Sequence, residues 1–343
     1  MSSISVVIPV LNESPSLEQL YQELIATADG LVSAADDEGL QLQVIFVDDG
    51  STDPSWDTIR RLAARDPRVT GLRLRRNFGK ASALSAGFHE ATGELVVTMD
   101  ADLQDNPAEI PKLLTRLDDG LDVVSGWKQV RQDPWHKVWP SRLFNASVSW
   151  LTGVKLHDHN CGLKCFRQDV IHEVRLYGEL HRFVPVLAAA RGFHVGEVPV
   201  THRARQYGKS KYGLWRLPKG LLDLLTVTFI TRFGHRPQHW LGMAGLLSFL
   251  IGLAGMGYLA ILWLTSRLPG SDDPIHLHQT AALYYSLVAL LIGSQLIATG
   301  LVAELLTAIF VRNADTYSIA EQTSPAVSHR EHPAEDPAIS PTE

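Results

Sequence analysis

ELVVTMDADLQD, Glu94–Asp105, opens on an apolar, β-branched run and ends in three carboxylates. The run reads as a buried strand, and Asp100, Asp102 and Asp105 crowd its C-terminal end. Like charges repel, and desolvation at a strand end sharpens the repulsion, so positive charge is expected among these oxygens. In a strand, residues i and i+2 project on one face. Asp100 and Asp102 are therefore expected to present two oxygens to one point just past the strand. Hard divalent cations such as Mg2+ or Mn2+ take carboxylate oxygens and complete their shell with phosphate and water. The adjoining Asn106-Pro107-Ala108-Glu109 reads as a capping box with Pro at the first helical position.

Upstream, the same strand–helix alternation repeats. ISVVIPV (Ile4–Val10) precedes a helix opened by Ser14-Pro15. QVIFVDD (Gln43–Asp49) precedes a helix opened by Asp53-Pro54, and VTGLRLRR (Val69–Arg76) precedes KASALSAGFHEATG, a helix ending at Gly93. Alternating elements whose strands are apolar throughout predict a mostly parallel, Rossmann-like α/β sheet covered on both faces. Ligands bind such sheets beyond the carboxyl ends of the strands, where Asn12–Glu13, Asp48–Asp49 and Asp100–Asp102 all fall. Neither GxGxxG nor GxxxxGK[ST] occurs, so dinucleotide and P-loop readings lack their usual support.

The net charge of −6 and the 20% charged content are ordinary for a soluble protein, and no nucleic-acid partner is indicated. The average hides a division. Trp240–Leu264 and Leu283–Ala303 are apolar runs in charge-free intervals, each long enough to cross a hydrocarbon core. Eight Lys and Arg residues between Arg203 and Arg236 precede the first run, only Arg267 lies between the runs, and Arg312 follows the second. The positive-inside bias puts both ends of a transmembrane hairpin in the cytoplasm. The predicted organisation is a cytoplasmic domain (1–212), an amphipathic juxtamembrane segment (213–236), a first transmembrane helix (237–266), an extracytoplasmic loop (267–281), a second transmembrane helix (282–311) and a disordered cytoplasmic tail (312–343). The N-terminus shows no leader pattern. Leu214, Leu217, Leu221, Leu222, Leu224 and Leu225 approximate a helical stripe suited to the headgroup plane. Glu304 and Gln295 on the second apolar helix are expected to face protein. Cys161 and Cys165 are expected to be free thiols.

SVVIPVLNE, VDDGSTD, GKASALSAGF, MDADLQD and RQYGKSKYG, in this order, resemble glycosyltransferase family 2, which has the GT-A fold. With the hairpin behind them, the resemblance is to the polyprenyl-phosphate branch of that family and covers roughly residues 4–235. It implies an inverting, metal-dependent transfer of a sugar from a nucleotide-sugar to polyprenyl phosphate at the bilayer surface. Glucose from UDP-glucose onto undecaprenyl phosphate is the expected case, and a soluble acceptor is the alternative. Pro9, Glu13 and Asp48 would line the nucleotide, with Asp49 supporting their loop. Asp100, Asp102 and Gln104 would hold Mg2+ or Mn2+, and Arg205 would meet the departing diphosphate. Asp158 is the candidate base, although HDHNCGLKCF departs from the usual pattern around it. His181 would sit near the donor sugar. Arg131 and Arg142, in a segment of interleaved tryptophans and cations, would take the lipid phosphate, with Ser210 and Lys211 at the membrane surface. The resemblance further implies a multi-pass inner-membrane protein that assembles as a homotetramer.

Overall fold

The computed structural model describes residues 3–34, 41–129, 135–174, 176, 178, 180–204, 216–233, 237–268 and 276–311. Three βα units open the chain: β1 (Ser3–Val10) and α1 (Ser14–Ala34), β2 (Gln41–Asp48) and α2 (Ser55–Arg65), β3 (Val69–Arg73) and α3 (Lys80–Glu90). They are followed by β4 (Leu95–Thr98), α4 (Ile110–Asp118), β5 (Val123–Lys128), α5 (Trp135–Thr152), β6 (Lys164–Arg167), α6 (Gln168–Glu173), α7 (Val184–Ala190) and β7 (Val195–Val200). The seven strands form one sheet in the order β3-β2-β1-β4-β6-β5-β7. β6 runs antiparallel to both of its neighbours, and every other pairing is parallel. β1, β2, β4, β5 and β7 therefore end on one common rim.

Alternation along the strands splits the core between the two faces of the sheet. Val6, Ile8 and Phe46 pack with Leu17, Leu20, Ile59 and Leu113 from α1, α2 and α4. Val7, Ile45 and Val96 pack with Leu84, Phe88 and Val184 from α3 and α7. Close packing demands small residues where the layers meet. A Cβ at Gly87 of α3 would lie 2.2 Å from the Val7 side chain.

A third, smaller cluster departs from the sequence expectation. α8 (Arg216–Thr228) continues into a π-helical turn, Phe229–Phe233. The expected leucine stripe divides between two faces. Leu224 is buried and joins Val227 against Val148, Leu180, Phe183 and Val186. Leu222 and Leu225 are 64% and 56% exposed. The helix thus docks on the domain along one line and leaves a second apolar line outward. Leu214 and the side chains of Leu217 and Leu221 lie outside the described residues.

α9 (Pro237–Thr265) and α10 (Ala281–Val311) are each long and apolar enough to cross a membrane. They pack on one another through small residues spaced seven apart, Gly245 and Gly252 on α9 against Ser286, Gly293 and Gly300 on α10. A Cβ at Gly293 would lie 2.5 Å from the Phe249 amide nitrogen, and one at Gly252 would lie 2.7 Å from the Ser286 carbonyl oxygen. The backbones therefore approach as closely as in other small-residue helix pairs. Ser248 Oγ donates to the Ala289 carbonyl at 2.9 Å, and the Gln238 amide donates to Glu304 at 3.2 Å. Glu304 thus faces its partner helix as expected, whereas Gln295 is exposed on the outer side of α10.

Gly293→Leu should force α9 and α10 apart, an overpacking cost of about 1–3 kcal/mol. A disulfide formed between S248C and A289C by mild oxidation reports the contact. It should form readily in the parent and be lost when G293L is added; undiminished cross-linking would refute this packing.

Candidate active site

The rim is assembled from loops that hold one another. After β1, Asn12 adopts φ +56°, a left-handed conformation that Asn tolerates. Its carboxamide oxygen accepts the Thr52 amide at 2.8 Å and the Asp53 amide at 3.3 Å, stitching the first loop to the second. The Glu13 amide donates to Ser55 Oγ and the Ser14 amide to Asp53 Oδ2. Asp48 is fully buried; Oδ1 accepts the Ser51 amide at 2.9 Å and Oδ2 lies 3.4 Å from Arg73 Nε. Asp49 is also buried, and its two oxygens accept the Phe78 and Gly79 amides at 2.7 and 3.0 Å. Asp49 thereby fixes the turn that starts α3. Gly50 between the loops is at φ +72°, and a Cβ there would lie 2.5 Å from the Arg76 backbone.

The acidic stretch is a turn rather than a strand end. β4 stops at Thr98, so the expected i, i+2 alternation of Asp100 and Asp102 does not apply. Leu103, fully buried, adopts φ +60° and reverses the chain between Asp102 and Gln104. Left-handed backbone at a branched residue costs of order 1–3 kcal/mol and is retained where the surroundings overdetermine it. Asp102 Oδ1 accepts the Gln104 amide at 3.1 Å. The Asn106 carboxamide caps the next turn by accepting the Ala108 amide, but Glu109 does not complete a capping box. Its carboxylate turns instead to Thr201 Oγ1 and to Lys112.

Two lysines supply the positive charge that the sequence demanded at this point. Lys80, the first residue of α3, is ion-paired with Asp100 Oδ1. Lys128, the last residue of β5, lies 3.3 Å from Asp105 Oδ1. Burial opposes ionisation of Asp100, but Lys80, Lys128 and Lys164 outweigh it and hold the carboxyl well below the usual range. Burial likewise disfavours the charged Lys128, yet Asp105 and the neighbouring acids hold its pKa above the ordinary lysine value. Lys128 lies under the rim with only 16% of its side chain exposed. The space between Asp100 and Asp105 is kept by Gly162, where a Cβ would lie 2.7 Å from Asp105 Oδ2 and 2.8 Å from Asp100.

The oxygen donors of this turn are of the kind that hard divalent ions take. Among the described residues no three His, Cys, Asp or Glu side chains converge on one point. Asp102 and the Gln104 carboxamide flank one tight turn, with Asp100 at its entrance. Mg2+-type sites commonly use one or two carboxylates and leave the other positions to phosphate and water.

Asp158 lies beside this turn in a loop clamped at successive residues. The His157 amide donates to Glu197 Oε2 at 2.8 Å, its Nδ1 meets Oε1 of the same carboxylate, and its ring stacks on Trp127 at 4.2 Å. Asn145 Nδ2 donates to the His157 carbonyl. Asp158 is 2% exposed, and its Oδ1 accepts the Asn160 amide at 3.1 Å. His159, fully buried, meets Ser149 Oγ at 3.0 Å. A cleft opens on the other side of Asp100, lined by Pro9, Lys80, Asp100, Lys164, His181 and Arg182. His181 is thus brought beside Asp100. Burial, helped by Lys80, Arg182 and Lys164, pushes its pKa down to about 2, so the ring is neutral at working pH.

Other expected site residues fall elsewhere. Arg142 is exposed on α5, and Arg131, Arg205, Ser210 and Lys211 lie outside the described residues. The chain leading to Arg205 is anchored on the acidic turn. The Arg203 amide donates to the Gln104 carbonyl at 2.9 Å, while its guanidinium spans Asn106 and Glu23, each at 2.7 Å. Cys161 and Cys165 are free and buried, and burial raises both thiols to about 12, which leaves them protonated.

Two outcomes follow from these contacts. Asp49→Ala strands the Phe78 amide at about 1–3 kcal/mol, while the Gly79 amide keeps Asn77 Oδ1 at 3.0 Å, and should lower the melting temperature more than Asp49→Asn does. Burial and the adjacent Lys164 depress the His159 pKa to about 4, below about 6.5 in the unfolded chain. The unfolded state then binds the extra proton. This contribution to stability is complete above pH ~6.5 and is lost as pH falls through the folded value. The melting temperature of His159→Gln should therefore fall less between pH 7 and 4.5 than that of the parent.

Known proteins share this architecture. The pattern described as Glycosyl transferase family 2 matches residues 5–175. Dodecaprenyl-phosphate galacturonate synthase of Rhizobium johnstonii is 36% identical over 317 residues, covering 90% of this chain and 89% of the relative. Undecaprenyl-phosphate 4-deoxy-4-formamido-L-arabinose transferase of Edwardsiella ictaluri is 36% identical over 308 residues, with the same coverage. Glucosyl-3-phosphoglycerate synthase from Mycobacterium tuberculosis, crystallised with Mn2+, UDP and phosphoglyceric acid, superposes with a TM-score of 0.50 at 18% identity. That match covers 67% of this chain and 78% of the other, and shows a shared GT-A-type fold.

Proposed function

The chain belongs to glycosyl transferase family 2 and is a glycosyltransferase, and from that premise we propose that it moves a sugar from a nucleotide-sugar to a polyprenyl phosphate at a membrane surface. The observation that carries this reading is the acidic turn on the sheet rim in a chain that also bears two apolar helices packed as a hairpin. The names of the two relatives support the acceptor. In the proposed layout residues 1–212 face the cytoplasm, 213–236 lie at the headgroups, and the hairpin crosses the inner membrane twice around the loop 267–281, returning residues 312–343 to the cytoplasm. Assembly into a homotetramer belongs to the same proposal.

The chemistry is one displacement. A lipid phosphate oxygen forms a bond to the anomeric carbon as the bond from that carbon to the diphosphate breaks, with inversion. A phosphate monoester has a second pKa of about 6 and is mostly dianionic near neutral pH, so nucleophilicity is not the difficulty. Bringing an anion to an anionic donor is. Pro9, Glu13 and the Asp48–Asp49 loop would seat the nucleotide, and Arg205 would meet the diphosphate as it departs. Asp102 and Gln104, with Asp100, would hold the divalent ion, which when bound neutralises the diphosphate charge. Arg131 and Arg142, with Ser210 and Lys211, would draw in the lipid phosphate. Asp158 would orient the incoming acceptor and take any residual proton, its loop held still by Glu197, Trp127 and Asn145. Glucose is the sugar expected from the resemblance; the relatives' names add a uronate and a formamido-pentose.

The test is transfer of label from a panel of nucleotide-sugars into the organic phase, with detergent-purified protein, undecaprenyl phosphate and Mg2+ or Mn2+. Labelled lipid should form from one donor class, and Asp102→Asn should reduce its rate by about 100-fold or more. Metal-dependent donor hydrolysis with no labelled lipid from any donor would point to a soluble acceptor instead.

A further inference from the structure

Lys164, the first residue of β6, is 5% exposed and lines the cleft beside Asp100. Its ammonium donates to the Cys161 carbonyl oxygen. An ammonium has three donors and no acceptor, and among the described residues no carboxylate stands within ion-pairing distance of this one. Asp100 is engaged by Lys80, and Asp158 Oδ1 by the Asn160 amide. Leu84, Phe88 and Val184 add apolar walls. Burial lowers the Lys164 pKa, and Lys80 lowers it further, against the opposing pull of Asp158 and Asp100. Arg182 lines the same cleft, and His181, also in its wall, adds no charge. A neutral ligand that closed this space would strip water from the ammonium and return no counter-charge, a costly arrangement.

We propose that the sugar handled by this site is acidic, a hexuronate whose C6 carboxylate pairs with Lys164 and Arg182 in the cleft beside Asp100. The inference rests on the transferase reading above and narrows it to a substrate class. A carboxylate between a buried ammonium and a guanidinium makes charge-assisted bonds of about twice the strength of neutral ones. A hydroxymethyl group at the same carbon can accept a hydrogen bond but leaves the charge unanswered. The site then discriminates by the group it would leave unpaired, which is the strongest means of rejecting a near-isostere.

UDP-glucuronate and UDP-glucose, like UDP-galacturonate and UDP-galactose, differ only at C6 and make the decisive comparison. With full-length protein and undecaprenyl phosphate, kcat/KM for one uronate should exceed that for its neutral partner by about tenfold or more. Lys164→Met keeps the aliphatic stem and removes the charge, and should collapse that ratio toward one. Arg182→Gln, at a half-buried position, should reduce it in the same direction even if Lys164→Met fails to fold. A preference for the neutral sugar, with labelled lipid still lost in Asp102→Asn, would overturn the acidic-sugar inference and leave the transferase reading standing. A uronate preference unchanged in both variants would overturn the placement of the carboxylate. An increase in the KM for undecaprenyl phosphate in Lys164→Met, equal for both donors, would assign the cation to the acceptor phosphate and likewise overturn the proposal. Labelled lipid from no donor at all would be the failure of the transferase reading itself.

Discussion

Carboxylate charge gathered at the end of β4 is the constraint on which the rest of the domain depends. Asp100, Asp102 and Asp105 stand within one turn, and two of them are answered by lysines from different elements. Lys80 arrives on the first turn of α3, and Lys128 on the last residue of β5. Each cation is useful only if its own element is held in place. Asp49 does this for α3 through the Phe78 and Gly79 amides, and pairing with β6 and β7 does it for β5. Charge balance at one point therefore ties together most of the sheet's C-terminal rim. Gly162 keeps the central space open, because any side chain there would run into Asp100 and Asp105.

The same economy governs the two halves of the site. At the ends of β1 and β2, Asn12, Ser51, Asp53 and Ser55 bind the first two loops into one surface. On the other side, Glu197 accepts the His157 amide and meets its ring Nδ1, and Trp127 covers the ring, so the chain's own contacts hold the loop bearing Asp158. Rigid placement matters here because the reacting partners are both anions, and electrostatic help depends on groups that need not reorganise.

Outside the sheet, α8 joins two environments. Leu224 and Val227 fasten it to α5 and α7, while Leu222 and Leu225 remain outward. The α9–α10 pair follows directly, closed by glycines rather than by large side chains. Large apolar residues are thereby left on its outer surface, where a bilayer would be their solvent.

The amino-acid sequence by itself determined the alternation of strands and helices, the acidic rim, the free cysteines and the two apolar helices. Each of these is written in a contiguous stretch as periodicity, charge or hydropathy, and local rules read such stretches directly. The antiparallel insertion of β6 was not legible, because strand direction depends on which neighbour a short segment finds. The pairing of Lys80 with Asp100 and of Lys128 with Asp105 was equally hidden, since each pair joins residues from separate elements. The same holds for the burial of Lys164 and the stacking of Trp127 on His157. A lysine or tryptophan reads alike in sequence whether it meets water, a headgroup or a buried carboxylate. Only the closed sheet decides which, because burial and partners are properties of the surroundings that the folded chain provides.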